Sequence, residues 1–556
     1  MSSSTLIEVF GHIVFSFTRG VTEHYNPEAL EFTAESFGYD PLESTGREWY
    51  CHPVDEFIFQ EYSDRRDTTL SYLPSSSLNV RCTDACAPEE NEETLGGQQD
   101  EDQSMAWKRL RPSTLFTVGK AMYIGALISL LTSTGIGSLF MSVIYLSYKT
   151  ELNCQFHSKE SIPVQVQWIT SISGILSCAF LYMWFFVSMV LLFRPFQLIG
   201  VKKKLVLATF LLYGLDTLIR VVLQALQINQ SKAFTKQKIP LNLLLLMNIC
   251  VQVYLLMKHL LSGHSRRQRA TFYFQMILPT CFTDILAFVS AFSLYPAYVK
   301  QNKEGKLLIA IFAPLVGVVL KVISRISVQR LWKFTHPGYS YVLLAPVYFG
   351  SAVMFRVLQA DLDSLQSMAT LGIIHGVAEV LERSIMVIID HFCHVVWKRK
   401  SAPWGSFRTP RRERLMADIA IMSMLYESIG IVSVNGVFFL YQLVYVENES
   451  FANLFKSFAI QTSILLVIEW FFTSVSLAIE THYQNMAVMA VWRKRWKRHI
   501  LVAIVNAVPL ALWSSGYIIE ILHGRFSETN HPCKMPFSWE CAIVAECRLN
   551  QSSLRL

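Results

Sequence analysis

Residues 166–193 read VQWITSISGILSCAFLYMWFFVSMVLLF, twenty-eight positions without one Asp, Glu, Lys, Arg or His. As a helix rising 1.5 Å per residue, this run exceeds the roughly 30 Å hydrocarbon core of a bilayer. Arg194 and the triplet Lys202, Lys203 and Lys204 close it off. Such a stretch is the signature of a membrane span.

Similar runs recur along the chain. Crossings are expected at about 118–147, 166–193, 205–228, 239–260, 270–294, 307–328, 340–359, 366–396, 415–442, 458–481 and 500–522, eleven in all, with ten to twelve open. The 340–396 region could hold a re-entrant piece instead. Lipid offers no partners for stray backbone amides, and the runs lack the alternation of a membrane barrel. The expected fold is therefore all-α, a polytopic transmembrane helix bundle. With 556 residues, 52% hydrophobic and only 16% charged, the chain is too apolar for ordinary soluble domains.

Residues 1–107 form a polar tail with an acidic run from Glu89 to Asp102, without a signal-peptide pattern, and are expected to be largely disordered. The transmembrane domain covers 108–522, and 523–556 form a short tail containing cysteines. The net charge of +7 does not imply nucleic acid, because the basic residues cluster beside the spans. There they set topology and meet anionic lipid.

With the N-terminus in the cytosol, the connections on that side carry twenty-seven Lys and Arg against nine on the other. Lys321 and Arg325 are among the twenty-seven. The C-terminus then lies outside the cytosol, in the plasma membrane or an endomembrane. Three N-x-S/T sequons, at Asn229, Asn448 and Asn550, fall on the non-cytosolic side as glycosylation candidates. Cys154, Cys533, Cys541 and Cys547 fall there too, and four such residues allow three disulfide connectivities. Cys178, Cys250, Cys281 and Cys393 lie within spans as packing residues.

Seven acidic, basic or imidazole side chains sit within the expected span 366–396: His375, Glu379, Glu382, Arg383, Asp390, His391 and His394. On a helix, His375, Glu379, Glu382 and Met386 share one face, with Asp390 close by and Arg383 at its edge. An ionised group at mid-bilayer costs at least about 2.5–3.5 kcal/mol, so this face is expected to turn inward. Asp216 and Arg220 are four apart and adjacent on the third span. Asp284, Glu427 and Glu469 lie near the middle of their spans, and Arg356 near a span end is expected to snorkel towards Asp361 and Asp363.

Two readings of these charges stand. They are paired ions holding helices in register, or a hydrated pathway for a small solute or ion, coupled to protons through Glu379, Glu382, Glu427 and Glu469. The candidate pathway residues are Asp216, Arg220, Asp284, His375, Glu379, Glu382, Arg383, Glu427 and Glu469. The motif acid-x-Leu-x-Arg recurs at 216–220 and 379–383, as an inverted repeat would place it.

Transport is the preferred function, with a receptor or scaffold as alternative and an acyltransferase-like enzyme third. His375 with Glu379 and His391 with His394 are too few for a di-iron centre, so no metal or cofactor is expected. Neither a phosphate-binding G-x-x-x-x-G-K-[ST] loop nor a G-x-S-x-G elbow occurs. The expected partners are the bilayer, anionic lipid at the basic loops and a small solute or ion, with homo-oligomerisation open.

Overall fold

The computed structural model describes residues 114–152, 162–193, 195–226, 234–331, 334–336, 338–362, 364–398, 410–445, 450–482, 486 and 488–525. These residues are helical almost throughout, with no strand among them. Helix α1 runs unbroken through Thr114–Ala126, a π segment Leu127–Thr132, Ser133–Ser147 and a second π segment Tyr148–Leu152. There follow α2 (Val164–Leu192), α3 (Lys202–Ala225) and α4 (Phe234–Leu260). Next comes α5 (Arg266–Val289, continued by the π segment Ser290–Leu294 and Tyr295–Val299), then α6 (Lys303–Arg330) and α7 (Ala345–Ala360). The last four are α8 (Leu365–Lys398), α9 (Pro410–Tyr445), α10 (Phe451–His482) and α11 (Val488–Arg525).

The eleven helical runs coincide with the eleven expected spans, but they are not equivalent. Among the described residues, nine are long and apolar enough to cross a membrane. The exceptions are α7 and α8. Helix α7 has 16 residues, about 24 Å at 1.5 Å each, short of the roughly 30 Å hydrocarbon core. Helix α8 has ample length, 34 residues, but carries the charged stretch. The apolar helices fit a multi-pass membrane protein, and among the described residues nine helices meet the length and composition of a full crossing, against the eleven expected. Charge and length, not helix boundaries, separate the two numbers.

Two helices form the centre. From Leu415 to Phe439 every residue of α9 is buried, and α7 is buried along most of its length. A helix apolar on all sides belongs inside a bundle, and α9 adds small residues that let neighbours approach. A Cβ on Gly137 of α1 would come within 2.7 Å of Val432, and one on Gly436 would run into Met141. Around α9 stand α1, α7, α10 and α11; α7 also packs on α5 and α6. Helix α3 lies at the margin on α2 and α4. Its outward residues Leu207, Phe210, Leu211 and Leu218 are more than half exposed, an apolar surface suited to lipid rather than water.

The neighbours of α3 and α8 differ. Helix α3 packs on α2 and α4, whereas α8 packs on α6, α7 and α10.

Candidate functional site

The periodicity of residues 370–386 turns out as helical physics demands. Ile373, Ile374, Val377, Leu381 and Ile385 are exposed on α8, while Gly376, Glu379, Val380, Arg383 and Met386 are buried. A close approach makes this possible: a Cβ on Gly376 would run into the ring of Phe472, so α8 lies tight on α10. The polar face of α8 then meets α6, α9 and α10.

Arg356 of α7 is the hub. Its guanidinium is 3% exposed and donates from Nη2 to Glu469 Oε2 at 2.7 Å and to Glu427 Oε2 at 3.4 Å. Its Nη1 donates to Gln359 Oε1 at 2.8 Å, and the Gln359 amide in turn donates to the Met368 carbonyl. The expectation that Arg356 snorkels to Asp361 is overturned. Asp361 lies instead with Lys306 and Tyr295, and two carboxylates in the bundle hold the guanidinium more strongly than the interface could.

His375 of α8 places Nε2 3.2 Å from the same Glu427 Oε2 and lies stacked on Phe355, ring centroids 3.8 Å apart. Glu427 therefore serves two partners from one oxygen, Arg356 on α7 and His375 on α8. Thr473 donates to the other oxygen of Glu469.

Two further ion pairs flank this hub. Arg383 grips Glu480 of α10 with two bonds, Nε to Oε1 at 2.8 Å and Nη2 to Oε2 at 2.6 Å. Glu379 lies 3.8 Å from the Arg383 guanidinium and accepts from Ser423 of α9. Lys321 of α6 donates to Glu382 at 2.9 Å and sits over the Tyr348 ring, 5.3 Å from its centroid. Lys321 and Arg325 were assigned to the topogenic charge of an inner connection; they are 5% and 0% exposed and belong to the interior. Two of the twenty-seven basic residues thus leave the orientation argument, whose imbalance survives.

Within the cluster, Glu379, Glu382, Glu427, Glu469 and Glu480 are held by Lys321, Arg356 and Arg383, and Arg325, 0% exposed, lies one turn along α6 from Lys321.

The other candidates lie apart. Asp216 and Arg220 make the expected pair, at 2.9 Å, on marginal α3. Asp284 is half-buried on α5 and joins none of these pairs. Of the nine candidate residues six converge, and Asp216, Arg220 and Asp284 lie elsewhere in the bundle. Arg356, Glu480 and Lys321 complete the cluster. Side chains of Asp390, His391 and His394 lie outside the described residues, as do Asn229, Asn448, Asn550, Cys154, Cys533, Cys541 and Cys547. Cys178, Cys250, Cys281 and Cys393 are half-buried and form no disulfide.

Comparison with known protein families, with characterised proteins and with solved structures finds no match to this chain. Its function must be read from the cluster.

Proposed function

We propose that this chain is a proton-coupled membrane transporter of a small solute or ion, with Arg356, His375, Glu427 and Glu469 as its coupling centre. One observation carries the reading. A single buried arginine on α7 is shared unequally by carboxylates on α9 and α10, and the weaker of its two partners is also bonded to a histidine on α8. Protonating Glu427 cancels its negative charge and weakens its hold on Arg356 and His375 together. The guanidinium then answers chiefly to Glu469, and α7, α8, α9 and α10 are redistributed around it. That is a local charge change biasing a two-state packing, the physical core of coupled transport.

The flanking pairs favour a structural role beside it. Arg383 with Glu480 and Lys321 with Glu382 are closed, well-formed bonds that fix α8 against α10 and α6. A receptor or scaffold would need only pairs of that kind. It would not need an acid shared between an arginine and a histidine.

The chain reconstituted into vesicles loaded with a pH-sensitive dye tests the reading. Under a potassium diffusion potential, wild-type vesicles should acidify faster than empty ones, and Glu427→Gln should abolish the difference per folded molecule. Wild-type acidification no faster than in empty vesicles would sink the proposal.

A further inference from the structure

A second titratable pair lies deep in the bundle, away from the hub. His499 of α11 and Asp418 of α9 meet at 2.9 Å through Nε2 and Oδ1, and His499 Nδ1 faces the Arg495 carbonyl at 3.2 Å. Both residues are buried, His499 at 2% and Asp418 at 0% exposure. A carbonyl and an ionised carboxylate can only accept, and a neutral imidazole has a single N–H to give. The Asp418–His499 contact is one across which a proton can pass between the two side chains.

From there, polar groups continue into the core. The Tyr341 ring stacks on His499 with centroids 5.1 Å apart, and Tyr426 of α9 stacks on Phe349 of α7 at 5.0 Å. Tyr341 and Tyr426 are each 1% exposed, yet neither hydroxyl has a hydrogen-bond partner. The hydroxyls of Ser324 on α6 and Ser428 on α9, both 0% exposed, are in the same position. An unmet buried hydroxyl costs on the order of 1–3 kcal/mol, and native interiors meet more than nine in ten such groups, with ordered water where protein cannot. Buried polar atoms without a partner occur on other helices too, Tyr182 and Ser188 on α2 and Asn248 on α4 among them. Of the four hydroxyls here, Tyr341 stacks on His499, Tyr426 and Ser428 flank Glu427 in sequence, and Ser324 lies three residues from Lys321. Nine residues of α9 separate Asp418 from Glu427, about 13 Å along the axis at 1.5 Å each, a span that a few waters bridge.

We infer that ordered water threads the bundle from the Asp418–His499 pair past Tyr341 and Tyr426 to the Glu427 hub, forming the route by which protons reach it. Each hydroxyl on the route takes a proton from the water before it and releases its own to the water after it, so no net charge rests on a tyrosine. The groups facing His499 are Asp418 from α9, Tyr341, and Arg495, Arg498 and Trp492 from its own helix. This route rests on the coupling reading for its purpose, but its physical content is hydration.

Hydroxyl-radical labelling of the full-length protein by brief X-ray exposure tests it, because radicals made from water mark only side chains that touch water. Phe140 and Phe349, at 0% exposure, are references in the same molecule. In monodisperse protein, Tyr341 and Tyr426 should label several-fold faster than Phe140 and Phe349, and His499→Phe should slow labelling of Tyr341. Equal, background-level labelling of all four rings overturns the water route and leaves the hub, tested by vesicle acidification, standing.

Discussion

Arg356 and Glu469 meet at 2.7 Å between α7 and α10, each 3% exposed. The pair ties the innermost short helix to an outer one, and Glu427 competes for the same guanidinium at 3.4 Å. The proposed coupling rests on that inequality.

Removing the arginine leaves two buried carboxylates without their cation. Arg356→Ala should lose about 3–5 kcal/mol, the usual consequence of breaking a buried ion pair from one side. A large drop in the detergent melting temperature is the readout. Arg356→Met combined with Glu469→Gln should recover most of it, because two neutral side chains leave no orphaned charge.

Glu480 lies at the far end of α10, bonded twice to Arg383. Glu480→Gln should destabilise as strongly as Arg356→Ala yet leave vesicle acidification per folded molecule unchanged. Acidification lost in proportion to Glu427→Gln would place Glu480 inside the coupling machinery instead.

Packing makes an independent prediction at Gly376. Gly376→Ala drives a methyl into the Phe472 ring and should cost about 1–3 kcal/mol, typical of overpacking. Phe472→Leu in the same chain should restore part of it. Gly119→Ala is the contrast: nothing lies within 4 Å of the new methyl, so the helix should gain about 1 kcal/mol from propensity alone.

Much of this was legible in the sequence. The inward face of α8 followed from the 3.6-residue period, and Asp216 with Arg220 from spacing by four. Arg356, Lys321 and Glu480 were misjudged or passed over for one reason: each lies near a span end, where long side chains ordinarily reach the interface. Only a third dimension shows that α7 ends inside the bundle, so that a residue at its terminus is still central. The partners of Glu427 and Glu469 were equally hidden, being separated from them by 71 and 113 residues of chain.

Asp216 and Arg220 supply a separable control. Asp216→Asn removes a charged bond at 1% exposure and should cost about 1.5–3 kcal/mol. Acidification should be untouched, since α3 packs only at the margin. Reduced acidification at normal stability would extend the coupling centre to α3.

Orientation is checked by glycans. If the basic clusters face the cytosol, Asn229, Asn448 and Asn550 all face the glycosylating side, and glycosidase should increase gel mobility. Unchanged mobility removes the glycan expectation.

Helix α7 is sheltered from hydrocarbon along nearly all of its 16 residues, so bilayer thickness places no demand on its length. Thinner or thicker lipid should tilt the perimeter helices and leave α7 standing upright among them. Membrane composition would then reach Arg356 only indirectly, through the angle at which α10 presents Glu469, making acyl-chain length a dial on the hub.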